Sequence, residues 1–496
     1  MAGKAELDLV FNPRSVAIVG VSSNRDYEDI AETYIRALIQ CGFSGGIYPI
    51  NPKGGEIRGL KIYPSVKDVP DSVDYVICCI PAASVPRLIK DCAAKGVKAV
   101  QFFTSGFSEI GTEEGKKLEA EICDLARRGG VRLIGPNCMG VYSPKAGVSY
   151  APDYPKESGP VAFICQSGGN AIYFTRYAVQ RGIRFSKVVS FGNAADINES
   201  ELLEYLAADP ETEIIAAYIE GVKDGRRFGQ ALKTAAAAKP VIIMKGGCTE
   251  AGARAVASHT GVLAGSARIW DGLLRQAGVI SVSNLEELAD ILVTFLYLPV
   301  PSGWRLGCID VGGGAAVVAT DRYVSCGFVL PPLPPEVRQK LRQLVNTDAG
   351  ISLNNPVDLA AQFYTPAVYS VVKALADYSG VDMLIFHLPL AIMPPFPSFP
   401  EEYATAILDN AIRAYKETLK PMAVVIDQIT TGGSLETAIT CQQKCHREGI
   451  PTYFSIDSAA KAIARFLHYY ENRNDLTRVC HPTIEDKSAG QSREGS

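Results

Sequence analysis

The stretch AVASHTGVLAG, residues 255–265, contains the side chain best suited to carry a phosphoryl group. His259 stands there between two hydroxyl residues, Ser258 and Thr260, and the chain has five histidines in all. A neutral imidazole is nucleophilic near pH 7, and nearby hydrogen-bond donors can stabilise the charged adduct that it forms with a phosphoryl group. We expect His259 to lie in a loop, as the candidate nucleophile or as a hydrogen-bonded surface residue.

The other four histidines are weaker candidates. His387 lies in a β-rich apolar run and is expected in the core, whereas His446 and His468 fall on predicted helices. His481 belongs to a polar C-terminal segment. A phosphohistidine needs an acceptor for its second ring nitrogen. Glu220, which ends the predicted strand in AAYIEGV, is the candidate acceptor, and its alternative role is to cap the following turn.

Two glycine clusters follow predicted strands and open predicted helices. Ser167, Gly168 and Gly169 come after VAFICQ, and the run Gly312 to Gly314 comes after GCIDV. Glycine lets an anion approach the free N–H groups at the positive end of a helix dipole. The two helix starts could therefore face one anion from opposite sides. A tight strand-to-helix turn also favours glycine, so each cluster alone is open to that simpler explanation.

The first strand-to-helix loop suits a phosphate-rich ligand. It reads Gly20-Val21-Ser22-Ser23 and lacks the G-x-G-x-x-G pattern of dinucleotide-binding enzymes. The second strand ends in Asn51, Pro52 and Lys53, where an acidic residue would favour an unmodified ribose. A lysine suits a phosphorylated ribose better, which favours coenzyme A or NADP over NAD. The alternative is a turn with a solvated lysine.

Short β-rich apolar runs alternate with helix-length amphipathic segments along the chain. The runs form three series, which begin at SVAIVGVSS, GPVAFICQSGG and LGCIDVGGG. This alternation predicts α/β domains with doubly wound parallel sheets, whose ligands bind at the carboxyl ends of the strands. We predict domains at residues 1–145, 146–300 and 301–470, and a disordered tail at residues 471–496.

Composition excludes several classes of protein. The net charge of −4 and the absence of long basic runs argue against a nucleic-acid partner. The N-terminal residues lack the pattern of a signal peptide, and the most apolar window, from Val381, is interrupted by prolines, which argues against a membrane span. Thirteen cysteines without a paired framework are typical of a reduced, cytoplasmic protein. Cys441, Cys445 and His446 lack a second ligand cluster, so no metal site is predicted.

Taken together, these motifs resemble those of the α subunits of ADP-forming acyl-CoA (acetyl-CoA) synthetases, in the same superfamily as succinyl-CoA synthetase. The resemblance spans about residues 10 to 470. The motifs that carry it, in order, are SVAIVGVSS, GFSGGIYPINPKGGEIRGLKIYPSVKDVPDSVDYVICCIPA, GVKAVQFFTSGFSE, RLIGPNCMGVYSP, QSGG, YIEGVKDGRRF, ASHTGVLAG and NNPVDL.

The resemblance implies a fold, a reaction and a set of roles. The fold is an N-terminal Rossmann-like CoA-binding domain followed by two flavodoxin-like CoA-ligase domains. His259 resembles the phosphorylated histidine and Glu220 the residue that orients it, while the two glycine clusters resemble a pair of phosphate-binding helix starts. The implied CoA-binding residues are Gly20, Ser22, Ser23, Asn51, Pro52, Lys53, Ile80, Pro81, Ser105 and Asn137.

In the implied reaction, phosphate converts acyl-CoA to an acyl phosphate, His259 takes the phosphoryl group, and ADP receives it. Nothing in the chain resembles an ATP-grasp domain, so ATP or ADP and Mg²⁺ are expected on a separate β subunit of a hetero-oligomer. Relatives usually have SGAL where this chain has SGGN, so Asn170 stands at a position that could alter the acyl pocket. They more often have NAGGPG where this chain has DVGGGAA, which weakens the resemblance at the second helix start.

Two alternatives stay open. A CoA- or acyl-CoA-binding protein without phosphoryl transfer would bind CoA but form no phosphohistidine; the presence of His259 and Glu220 disfavours it. An NAD(P)-dependent oxidoreductase is disfavoured by the missing glycine pattern.

Overall fold

A computed structural model describes residues 2–22, 29–260, 266–346, 350–360, 363, 366–390, 401–427 and 432–473. Within these ranges the side chains of residues 2–5, 257–260, 401–402, 427 and 432–433 are left undescribed. The chain divides into two compact units between Leu288 and Ala289. Among the described residues, the first unit contains two large sheets and a two-stranded hairpin, and the second unit contains one sheet.

The first sheet has five parallel strands in the order β2-β1-β5-β6-β7, and β3 and β4 form a separate antiparallel hairpin. All five strands lie in the first predicted series of apolar runs, which is confirmed. The elements of this part are α1 (Ala2–Phe11), β1 (Ser15–Val19), α2 (Ile30–Cys41), β2 (Gly46–Ile50), β3 (Gly55–Ile57), β4 (Leu60–Ile62), β5 (Tyr75–Cys78), α3 (Val85–Lys95), β6 (Ala99–Phe102), α4 (Glu113–Gly129) and β7 (Arg132–Ile134).

The second sheet has six strands in the order β13-β12-β11-β9-β10-β8. Five are parallel and were predicted from sequence, whereas β8 runs antiparallel to β10 at the edge and was missed. The elements are β8 (Gly140–Tyr142), β9 (Val161–Cys165), α5 (Gly168–Gln180), β10 (Phe185–Ser190), α6 (Glu199–Ala208), β11 (Ile214–Ile219), α7 (Gly225–Ala238), β12 (Val241–Lys245), α8 (Glu250–Thr260), α9 (Ala267–Gln276), β13 (Ile280–Val282) and α10 (Leu285–Tyr297).

The third sheet is parallel, with the order β15-β14-β16-β17-β18. Four of its strands were predicted, and the two-residue strand β15 was not. The elements are β14 (Leu306–Asp310), α11 (Gly313–Ser325), α12 (Pro335–Arg342), β15 (Val357–Asp358), α13 (Ala367–Asp377), β16 (Met383–Pro389), α14 (Glu401–Thr418), β17 (Met422–Asp427), α15 (Gly432–Arg447), β18 (Thr452–Tyr453) and α16 (Ile456–Asn472).

Central strands are buried along their whole length, as β1, β5, β9 and β11 show. Parallel strands covered by helices on both faces are continuous apolar runs for this reason. The predicted α/β class with doubly wound parallel sheets is confirmed. Among the described residues, no helix combines the length and the apolar character needed to cross a bilayer.

The two sheets of the first unit are held together by aromatic packing and ion pairs. The ring of Phe11 in α1 stacks on Tyr205 in α6 with centroids 4.9 Å apart. Arg132, at the start of β7, bonds the carboxylates of both Asp196 and Glu201.

The predicted domain boundaries at residues 145 and 300 stay a prediction, although β8 precedes residue 145 and belongs to the second sheet. Residues 474–496, most of the predicted tail, lie outside the described residues.

Candidate active site

The first strand-to-helix loop packs tightly against the neighbouring strand end. Gly20 has a φ of +107°, and a Cβ atom there would lie 2.7 Å from the carbonyl oxygen of Cys79. Only glycine fits such a position without displacing backbone. Asn51 Nδ2 donates to the carbonyl oxygen of Val21 at 2.5 Å, and Asn51 Oδ1 accepts from the N–H of Lys53 at 2.8 Å. The loops after β1, β2 and β5 therefore meet at one edge of the sheet.

The other described residues that these loops were predicted to contribute to CoA binding lie on the same edge or just beyond it. Pro52 and Lys53 are exposed, and the N–H of Ser22 donates to Asp29 Oδ2 at 3.1 Å. The carbonyl oxygen of Ile80 accepts from Thr104 Oγ1 at 2.8 Å, and Pro81 precedes a 3₁₀ turn. Ser23 lies outside the described residues.

A cavity of about 260 Å³ joins loops of the first and second sheets. Ser105 follows β6, Asn137 follows β7, and Ser167, Gly168 and Gly169 lie at the start of α5. These five predicted residues line one cavity, together with Phe103, Cys138, Met139, Gln166 and Ile172. The sequence therefore predicted half of the lining.

The loop that carries Asn137 is held by both sheets. The N–H of Asn137 donates to the carbonyl oxygen of Thr104 at 3.0 Å, and Asn137 has a left-handed φ of +58°. The N–H of Met139 donates to Ser190 Oγ at 3.1 Å, and its carbonyl oxygen accepts from Tyr34 Oη at 3.0 Å. These bonds position the wall of the cavity before any ligand binds.

The N-terminus of α5 faces this cavity. Ser167 caps the helix, because its side-chain oxygen accepts from the N–H of Asn170 at 3.3 Å. Ser167 and the two glycines line the cavity, and a Cβ atom at Gly169 would meet nothing within 4 Å. Free N–H groups and the dipole of a helix N-terminus make such a position suitable for phosphate.

Glu220 lies at the carboxyl end of β11 and is 4% exposed. Its N–H and that of Gly221 donate to Gln166 Oε1, at 2.7 and 3.1 Å. Lys245 Nζ donates to the carbonyl oxygen of Glu220 at 2.7 Å, and burial lowers the pKa of this lysine. The Glu220 carboxylate accepts from Tyr218 Oη at 3.2 Å. Gln166 thus connects Glu220 to the cavity.

His259 is not a loop residue, and that expectation was wrong. It is the penultimate residue of α8, whose alanine-rich sequence EAGARAVASHT favours a helix. Helix α8 packs against the 3₁₀ turn Ser108–Ile110, which begins three residues after Ser105 of the cavity. The side chain of His259 and residues 261–265 lie outside what the structure describes, so its contact with Glu220 stays a prediction.

The third sheet carries the second glycine cluster. Gly312 has a φ of +97°, and its N–H donates to Asp358 Oδ1 at 2.9 Å, so this N–H is already occupied. Helix α11 begins at Gly313. The pairing of this helix start with that of α5 stays a prediction.

The other described histidines lie where the sequence placed them. His387 is 1% exposed, with Asp310 Oδ2 2.7 Å from its Nδ1 and Tyr323 Oη 2.9 Å from its Nε2. His446 lies in α15 beside Thr452, and His468 lies in α16. No group of three or more His, Cys, Asp or Glu side chains in the described part of the chain is arranged to hold a metal ion.

Sequence reasoning missed several residues of the site. Gln166, Tyr218 and Lys245 all lie at the carboxyl ends of strands in the second sheet, and Phe103 and Met139 line the cavity. Their position at strand ends is a signal in the sequence, but the prediction of site residues relied on glycine clusters and polar motifs.

Two family models match this chain. A CoA binding domain matches residues 14–144, and a succinyl-CoA ligase like flavodoxin domain matches residues 158–295. These matches contain the loops that form the first-sheet edge and the cavity.

Full-length relatives are similar to nearly the whole chain. The α subunits of ADP-forming acetate–CoA ligases II and I of Pyrococcus furiosus are each 36% identical, over 94% and 92% of this chain and 98% and 96% of their own. A solved structure described as dinucleotide forming acetyl-coenzyme A synthetase 1 of Ca. Korarchaeum cryptofilum is 32% identical, with a TM-score of 0.80 over 96% of this chain and all of that chain. A second structure of that protein contains phosphate and ADP.

Proposed function

Because the chain belongs to the family of ADP-forming acetate–CoA ligase α subunits, we propose that it interconverts acyl-CoA, ADP and phosphate with a carboxylic acid, CoA and ATP through a phosphohistidine at His259. The cavity shared by Ser105, Asn137 and the start of α5 is the observation that carries this proposal. It opens to residues of the CoA-binding domain on one side and to a helix N-terminus suited to phosphate on the other.

The reaction proceeds in three steps. Phosphate attacks the thioester carbonyl and the carbon–sulfur bond breaks. This step releases CoA and forms an acyl phosphate. A ring nitrogen of His259 then attacks the phosphorus, the bond from phosphorus to the carboxylate oxygen breaks, and the acid leaves. The phosphoryl group finally passes to ADP. The N–H groups at the start of α5 stabilise the negative charge of the phosphate during the first two steps.

A separate nucleotide-binding β subunit completes the enzyme in this proposal. We expect it to hold ADP and Mg²⁺, since phosphoryl transfer to a nucleotide depends on a metal ion for charge neutralisation. Adding this subunit to the purified chain should produce ATP from acetyl-CoA, ADP and phosphate. CoA binding without ATP formation across a panel of acyl-CoA substrates would support a non-catalytic CoA-binding protein instead.

Lys53→Ala should weaken CoA binding by about 1 to 3 kcal/mol, because a charge-assisted bond to a phosphate is lost. Isothermal titration with CoA measures the change. Lys98→Ala is the matched control. This exposed lysine lies just before the amino end of β6, whereas Lys53 lies beyond the carboxyl end of β2, so the variant should bind CoA like the wild type. An unchanged affinity in Lys53→Ala would move the phosphate contacts elsewhere.

Glu220→Gln should slow phosphohistidine formation roughly 10- to 100-fold, because a neutral amide supports a charged imidazole adduct less well than a carboxylate does. Single-turnover labelling with radioactive phosphate gives the rate. Glu213→Gln removes an exposed carboxylate one residue before the amino end of β11 and should leave the rate unchanged. Normal labelling in Glu220→Gln would reduce Glu220 to a turn residue.

A further inference from the structure

The carboxylate of Glu220 is held by a residue from its own strand. Tyr218 lies two positions earlier in β11 and is 8% exposed. Alternate residues of a strand point to the same side, so the phenol reaches the carboxylate beyond the strand end. Tyr218 Oη donates to Glu220 Oε1 at 3.2 Å.

The space around this contact is tightly filled. A Cβ atom at Gly246, just beyond β12, would lie 2.6 Å from Tyr218 Oη and 3.3 Å from Glu220 Cγ. Gln166 and Lys245 bond the backbone of Glu220 from the adjacent strand ends. Neighbouring strands therefore fix the main chain of Glu220, while Tyr218 fixes one oxygen of its carboxylate.

We propose that Tyr218 is a positioning residue for Glu220: its hydroxyl holds one carboxylate oxygen and so fixes the orientation of the group that is predicted to orient the imidazole of His259. This inference rests on the proposed phosphohistidine function. Burial and the Glu220 carboxylate raise the pKa of Tyr218, so the hydroxyl keeps its proton and stays a donor at neutral pH. A fixed carboxylate holds the imidazole in one orientation, which a rotating carboxylate does not.

Tyr218→Phe tests this role because it removes the hydroxyl and keeps the ring. With acyl-CoA and radioactive phosphate, the full chain should form phosphohistidine roughly 10- to 100-fold more slowly, with half-saturating acyl-CoA unchanged. Tyr205→Phe is the matched control. Its hydroxyl donates to Asp8 Oδ1 in α1 at 2.7 Å, a contact that does not involve Glu220, and its loss should leave the rate unchanged.

A double substitution separates positioning from a structural role. In a Glu220→Gln background, Tyr218→Phe should have no further effect, since Tyr218 acts through that carboxylate.

The outcomes distinguish this inference from the function on which it rests. Multiplying effects in the double variant, or wild-type labelling in Tyr218→Phe, would overturn the positioning role while leaving the phosphohistidine intact. Absence of phosphohistidine in the wild-type chain with every acyl-CoA substrate, even when the β subunit is added, would instead overturn the proposed function. Reduced labelling in Tyr218→Phe, with no further reduction when it is added to Glu220→Gln, supports the inference.

Discussion

His259→Ala should lower acyl-CoA-dependent ATP formation by at least about 10⁴-fold, as expected when an enzyme loses the side chain that carries a covalent intermediate. CoA affinity should stay within about twofold of the wild type, because the predicted CoA contacts lie in the loops of the first sheet and His259 lies in α8. The variant is assayed with the β subunit present, and CoA binding is measured by titration on the same preparation.

His468→Ala is the matched control for this variant. His468 lies on α16 in the other unit, its side chain is 61% exposed, and its Nδ1 is 3.1 Å from Glu471 Oε2. The activity of the His468→Ala variant should equal that of the wild type. Turnover that persists in His259→Ala, with the same acyl-CoA dependence, would contradict a phosphoryl intermediate at this residue.

His387→Ala should destabilise the second unit by about 2 to 5 kcal/mol, because it opens a cavity in the core and removes the hydrogen-bond partner of the buried Asp310 Oδ2. Asp310 and His387 are each 1% exposed, and Asp310 Oδ2 lies 2.7 Å from His387 Nδ1. The hydroxyl of Tyr323 loses its bond to His387 as well. Thermal or denaturant unfolding of the full chain measures the loss of stability, and hydrogen exchange in β14 and β16 shows where it occurs.

The exposed pair of His468 and Glu471 again provides the comparison. His468→Ala removes a histidine–carboxylate contact of similar geometry at the surface, and it should cost no more than about 1.5 kcal/mol, including the ring contact with Trp304. Equal destabilisation by the two substitutions would contradict burial as the cause.

The strands were predictable from sequence because buried parallel strands are short continuous apolar runs between helical segments. Four strands were missed, and they lack that signal. Strands β3 and β4 have three residues each and pair only with one another. Strand β8 has three residues and an antiparallel partner, and β15 has two residues. His259 was assigned to a loop because its hydroxyl neighbours outweighed the alanines before it, although those alanines favour the helix observed.

The predicted site was assembled from strand ends, and residues that follow neighbouring strands do lie together in the structure. Ser105 and Asn137 follow the adjacent strands β6 and β7, and both line the cavity. Contacts between residues distant in sequence could not be predicted in this way. Gln166 bonds the backbone of Glu220, 54 residues later, and Asp358 occupies the N–H of Gly312, 46 residues earlier. Such partners depend on how the strands are ordered in the sheet.

The most direct test of the central claim uses the purified chain alone, with acetyl-CoA and a panel of longer acyl-CoA substrates, and radioactive phosphate. We predict protein-bound label that is acid-labile and base-stable, that depends on acyl-CoA, and that maps to His259 by mass spectrometry. Label on any other residue, or no label with every acyl-CoA from a chain that binds CoA even when the β subunit is added, would contradict the account.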